Sequence, residues 1–181
     1  MWFDTQGLLP RVEKDHLIVL IASKTHCSGC ELMEHRTLGD SRVQEEFTRF
    51  QWHVVRRTDP SWSEIIWYPT VVALSDSHQW LRHEEGFLPP YEFIPFLRLA
   101  LTGKLLRTGR YQEAISVLDE TRQTFAFSGW IPECLYYQGV ASHLAGRLRD
   151  VARLWRLLRE NYPESVWAHK ASLAWEPPAT S

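Results

Sequence analysis

Six consecutive apolar residues, LIVLIA from Leu17 to Ala22, open the patterned part of the chain. A short unbroken run of this kind is what a central strand buried on both faces requires. Glu31 to Arg36 is compatible with helix. Asp40 and Ser41 are good helix-capping residues ahead of Arg42 to Phe50, where Val43, Phe47 and Phe50 share one face. Gln51 to Arg57 (QWHVVRR) reads as a second strand and Trp62 to Trp67 as a helical turn. Pro69 opens a third strand, Thr70 to Leu74 (TVVAL), and Gln79 to His83 reads as a short edge strand ending by Gly86. The order β, α, β, α, β, β, α predicts a mixed sheet with helices on both faces.

From Tyr91 the pattern is helical only. Tyr91 to Arg107 is expected as one helix or two, disturbed by Pro95 and ended by Gly109. Arg110 to Phe125 is amphipathic, with Ala114, Ile115, Val117 and Leu118 at helical spacing. Pro132 suits the first turn of a helix running to about Ala145, where Gly146 ends it. In Leu148 to Asn161, residues Leu148, Val151, Ala152, Trp155 and Leu158 form an apolar stripe. The ending EPPATS reads as a loose tail.

Composition narrows the function classes. The chain has 181 residues, 44% hydrophobic and 23% charged, which is enough for one domain or two small ones with a real core. A net charge of -2 gives no general pull toward nucleic acid or anionic membrane. No apolar run reaches the roughly 20 residues that span a bilayer. The start MWFDTQGLLPRVEKDH lacks the basic opening and apolar core of a secretory signal, so a cytoplasmic location is expected. Arg149, Arg153 and Arg156 share a helix face, but Asp150 and Glu160 flank them, and a solvated face is the expected role.

The candidate chemistry lies in SKTHCSGCELMEH, residues 23–35. Three cysteines do not make a disulfide scaffold, and in a reducing compartment a close pair is more often catalytic, redox-sensing or metal-binding. Cys27 and Cys30 are two residues apart, just after the LIVLIA run. If Cys30 lies in the first turn of a helix, Cys27 stands at its N-terminus, where backbone N–H groups favour a thiolate. The second thiol is then spaced to resolve a mixed disulfide. Zinc is the chemical rival, since His26, His35 or His53 would add ligands to the pair. A pair of silent cysteines is the third reading. Cys134 is expected to be an ordinary packed helix residue.

Residues from about 15 to 101 resemble the thioredoxin superfamily. The resemblance rests on the Cys-x-x-Cys pair after a buried strand and on Pro69 opening the strand WYPTVVAL, 39 residues beyond Cys30. Within that superfamily it is closest to a subgroup marked by Cys27, Cys30, Met33 and Glu34 followed by Asp40 and Val43. It implies thiol–disulfide exchange, with Cys27 attacking and Cys30 resolving. Pro69 would be the cis-proline that faces the pair, and Tyr68 would offer its backbone to a bound peptide. His26 would stabilise the Cys27 thiolate when protonated, and residues 62–68, around Trp62 and Trp67, would form a hydrophobic client groove. Three departures stand out. No tryptophan precedes Cys27 and no proline separates the cysteines; and Ile21 occupies the place, six residues before the first cysteine, of a buried aspartate. A couple less reducing than the roughly -270 mV of thioredoxin is therefore expected.

The segments LLRTGRYQEAISVL and SHLAGRLRDVARLW align at Gly109-Arg110 and Gly146-Arg147. Residues 102–172 resemble the tetratricopeptide repeat, whose period is about 34 residues. The expected architecture is thus an α/β thioredoxin-like domain over residues 1–101, an all-α tetratricopeptide-like domain over 102–172, and a flexible tail over 173–181. The expected function is a cytoplasmic thiol–disulfide oxidoreductase without cofactor or metal. Its partners would be client proteins with disulfides or thiols, and a reductase or small thiol that recycles it, with no nucleic acid and no membrane. The second expectation, by similarity to chaperedoxins, is a thioredoxin-fold chaperone or interaction module in which redox turnover is secondary.

Overall fold

A computed structural model describes residues 9–59 and 65–174, with side chains to residue 172. By backbone proximity the chain divides into two compact units, Met1–Ala100 and Leu101–Ser181. The first contains a four-stranded sheet of order β2-β1-β3-β4, formed by β1 (Leu17–Ser23), β2 (Trp52–Thr58), β3 (Thr70–Ser75) and β4 (Trp80–Glu85). Strand β1 pairs parallel to β2 and antiparallel to β3, and β3 pairs antiparallel to β4. This is a mixed sheet followed by five helices, an arrangement compatible with a thioredoxin-like fold.

Every residue from Leu17 to Ala22 is buried, as the unbroken apolar run requires. Alternation along the strand sends Ile18 and Leu20 to one face, where they meet Val55, Val72 and Leu74, with Leu9, Val12 and Trp80 packed around them. Leu17, Val19 and Ile21 point to the other face and are equally buried. Helix α2 (Ser41–Arg49) begins where Asp40 accepts a hydrogen bond from the Arg42 N–H at 2.9 Å. Its Phe47 meets Phe93 edge-on, with ring centres 6.1 Å apart.

Helix α3 (Pro90–Arg107) is one uninterrupted element despite Pro95. The proline falls in the second turn, so a single carbonyl near the start loses its partner. The neighbouring Phe93, Ile94, Phe96 and Leu97 are all buried and hold the helix in place. Buried Arg98 donates two hydrogen bonds of 2.8 Å to the buried carboxylate of Glu46 on α2. That bidentate pair locks α2 to α3 inside the first unit.

The second unit holds α4 (Tyr111–Thr124), α5 (Ile131–Leu144), α6 (Leu148–Asn161) and α7 (Val166–Ala174). Gly109 and Gly146 both have φ of 75°. At the first, the Arg110 N–H reaches the Leu105 carbonyl and the Gly109 N–H that of Leu106. At the second, Arg147 reaches Ser142 and Gly146 reaches His143. Each Gly-Arg pair therefore closes a helix with the same double bond pattern, which only a residue at ease with positive φ completes cheaply. Gly139 has a different reason: a Cβ there would overlap the Trp155 indole. That indole donates to the Tyr136 carbonyl at 3.2 Å and sits in a core with Ile131, Leu135, Val151, Leu154 and Leu158.

Several local expectations need correction. Residues 31–36 are helical as expected, but of mixed type, since α1 (Ser28–Leu32) passes into a π-helical segment, Met33–Leu38. Residues 65–67 are not helical, and the rest of the turn expected over 62–67, including Trp62, lies outside the described residues. In the α6 stripe Val151, Trp155 and Leu158 are buried as expected, but Leu154 joins them in the core and Leu148, at the start of the helix, is 49% exposed. Helix α7 has no counterpart in the sequence reading. Ser165 caps it through its hydroxyl, which accepts from the Ala168 N–H at 3.1 Å. Of the tail expected over 173–181, residues 173 and 174 end α7 and 175–181 lie outside the described residues.

Two stability outcomes follow. Arg98→Met leaves a buried, uncompensated carboxylate and should cost about 3–5 kcal/mol in denaturant unfolding, while adding Glu46→Gln should recover part of that loss. An unchanged midpoint in the single variant contradicts the assignment. Gly146→Ala forces an alanine into the left-handed region, with nothing within 4 Å of the new methyl, and should cost about 1–2 kcal/mol through the backbone alone.

Candidate redox site

The register of the sheet brings three strand ends to one edge. Ser23, the last residue of β1, pairs with Thr58, the last of β2; Ala22 pairs with Thr70, the first of β3. Whatever leaves β1 and β2 therefore emerges beside whatever enters β3. What leaves β1 is Lys24–Cys27, and what enters β3 is Trp67–Pro69.

Cys27 is the N-cap residue of α1, and Cys30 lies in its first turn. The backbone N–H of Cys30 donates to the Cys27 sulfur at 3.2 Å. The two cysteines are joined in a disulfide, with Cα atoms 5.2 Å apart, and both are partly exposed. A partly exposed disulfide at a helix start can be reached by an external thiol, whereas one in the core cannot. Cys134 takes part in no disulfide and is fully buried in the second unit.

Two clefts adjoin the pair. One, of about 360 Å³, is lined by Cys27, Cys30, Ile21, Glu34, Arg56 and Pro69, among others. The other, of about 800 Å³, takes Cys27 and Gly29 on one wall and Ile65, Ile66, Trp67, Tyr68 and Phe87 on the other. His26 lines both. The Tyr68–Pro69 peptide bond is cis. A Cβ at Gly29 would come 3.3 Å from Pro69 Cδ and 3.8 Å from the Tyr68 carbonyl oxygen, so Gly29 lets the cysteine turn approach the proline closely. Ile66 and Trp67 are 79% and 65% exposed, an apolar surface directly beside the disulfide. The Lys24 ammonium stands 5.9 Å from the centre of the Tyr68 ring.

The sequence reading named His26, Cys27, Cys30, Trp67, Tyr68 and Pro69, and the structure gathers all six around these two clefts. Ile65 and Ile66, which line the larger cleft, also fall in the client groove expected over residues 62–68, of which 62–64 lie outside the described residues; the reading missed Phe87. It also missed Asp59, whose side chain is 34 positions from its partner. The Asp59 carboxylate accepts from the Thr25 N–H at 2.9 Å and from the Thr25 hydroxyl, strapping the approach to Cys27. Those two bonds, chiefly the hydroxyl's, hold its carboxyl below the usual range, and the Lys24 and His26 charges add to the effect. His26, next along, has φ of 57°.

The ligands suggested for zinc do not assemble. Among the described residues no group of three or more histidine, cysteine or acidic side chains is placed to hold a metal ion. His53 instead pairs with His16, its Nε2 lying 2.8 Å from the His16 Nδ1. No helix among the described residues is long and apolar enough to cross a membrane. The chain matches no protein-family model and no curated protein.

The strap is testable by acid. Asp59 has a lowered pKa, so its contribution is complete above the ordinary aspartate range and is lost as pH falls through the lowered value. Protection of the Thr25 amide against hydrogen exchange, taken relative to its intrinsic rate at each pH, should be high at neutral pH and fall only in acid, whereas Asp59→Ala should lower it throughout. Equal protection in variant and wild type at pH 7 removes the strap from the account.

Proposed function

We propose that the protein is a thiol–disulfide oxidoreductase of the thioredoxin-like class, acting on client proteins through Cys27 and Cys30. The observation that carries this reading is the placement of a partly exposed disulfide at a helix start, adjoining two clefts and beside Pro69. In the reduced protein Cys27 attacks a client disulfide. A bond forms between Cys27 and one client sulfur, and the other client sulfur leaves as a thiolate that takes a proton. Cys30 then attacks Cys27, restoring the Cys27–Cys30 disulfide and releasing the second client thiol. Two electrons pass from the pair to the client, and a reductase or small thiol returns them. The Cys30 N–H, aimed at the Cys27 sulfur, favours negative charge there, and a protonated His26 adds to it. Tyr68 and Pro69 would line the bound client backbone, with Trp67 beside them.

A second reading has its own support. The exposed Ile66 and Trp67 give an apolar docking surface independent of any electron transfer. A chaperone or interaction module with secondary redox turnover would use that surface first.

One pair of assays separates the two. Insulin reduction driven by dithiothreitol should proceed with wild type and fall to background in Cys27→Ser, while Cys30→Ser should accumulate a mixed disulfide with the client. If wild type shows no turnover and Cys27→Ser retains full suppression of aggregation, the binding module is the correct account.

A further inference from the structure

The smaller cleft that the disulfide lines also contains an acid, Glu34, which the sequence motif includes without giving it a role. Residue 21 on β1, where the related fold carries a buried aspartate, is Ile21, only 4% exposed and unable to take a proton. Its cross-strand partner on β2 is Arg56, so the two side chains stand on the same face of the sheet, both lining the cleft with Cys27 and Cys30. Glu34 enters the same cleft from the other side, on the π-helical segment that follows α1. The Arg56 Nε–H donates to both Glu34 oxygens at 3.0 and 3.1 Å, and its terminal nitrogen lies 3.0 Å from one of them. A bidentate clamp of this kind fixes the plane of a carboxylate that would otherwise sample many rotamers. The wide π turn matters here, since such turns re-aim side chains and recur at functional sites.

We propose that Glu34, held in place by Arg56, accepts the proton of Cys30 during the resolving step. The inference rests on the oxidoreductase reading above. As Cys30 attacks Cys27, its S–H bond breaks and the proton passes to the Glu34 carboxylate, directly or through water in the cleft. The Cys30–Cys27 bond forms, the bond from Cys27 to the client breaks, and the electron pair leaves with the client sulfur. Glu34 is half-exposed and returns the proton to the departing thiolate or to solvent. Arg56 is a positioning residue. The other charged groups facing the cleft are Lys24, His26, Glu31 and His35, so a pH profile must be compared between variants rather than read alone.

The step can be isolated with dithiobis-nitrobenzoate as the disulfide probe. Reduced protein forms a Cys27 mixed disulfide and releases one coloured thiolate; attack by Cys30 then releases a second. Glu34→Gln should slow the second release about 10–100-fold at neutral pH, with the rate recovering as pH rises and hydroxide replaces the carboxylate. Glu34→Asp and Arg56→Lys should each restore part of the rate, and the first release should be unaffected in all four proteins. A Glu34→Gln protein with the wild-type second rate and pH profile overturns the role of Glu34 and leaves the oxidoreductase reading standing. A wild-type protein that gives no second release overturns both.

Discussion

Burial of β1 on both faces is the constraint on which the first unit depends. A strand buried on two sides must be apolar throughout and must be paired along both edges, which LIVLIA and its neighbours β2 and β3 satisfy. Because side chains alternate, a slip of one residue would exchange the two buried sets, so the register is strongly fixed. That register decides the chemistry. It puts the ends of β1 and β2 and the start of β3 at one edge, and so brings the cysteine turn, the Asp59 strap and Pro69 within reach of each other.

The local chemistry then follows from short-range geometry. Cys27 caps the helix that contains Cys30, so its sulfur receives a backbone hydrogen bond from the Cys30 N–H. Gly29 keeps the turn thin enough for Pro69 to approach. One cleft offers apolar surface beside Cys27, and the other offers a clamped acid beside the pair. In the proposed account their different linings would suit separate tasks, client contact in one and proton movement in the other.

Much of this was legible in the chain because its causes are local. The four strands, the Asp40 cap and the two Gly-Arg helix ends are each written within a few residues, and all lie close to where the pattern puts them. What was not legible depends on distant partners. No periodicity announces the π segment after Leu32. Asp59 gains meaning only because β2 ends beside β1, and Glu34 only because Arg56 stands across the cleft. Pro95 misled for the same reason: local rules predict disruption, but buried neighbours from the rest of the unit hold α3 together. Gly139 could have been any helix glycine until Trp155 was placed against it.

The central claim is that Cys27 and Cys30 form a reversible redox couple rather than a permanent crosslink. Equilibration of the protein with glutathione mixtures of known ratio, read by the fraction of free Cys27 and Cys30 thiols, tests it most directly. The account predicts full interconversion with a midpoint above about -270 mV, less reducing than thioredoxin. A midpoint below about -300 mV, the range of structural disulfides, or a pair that never re-forms its bond, would contradict it.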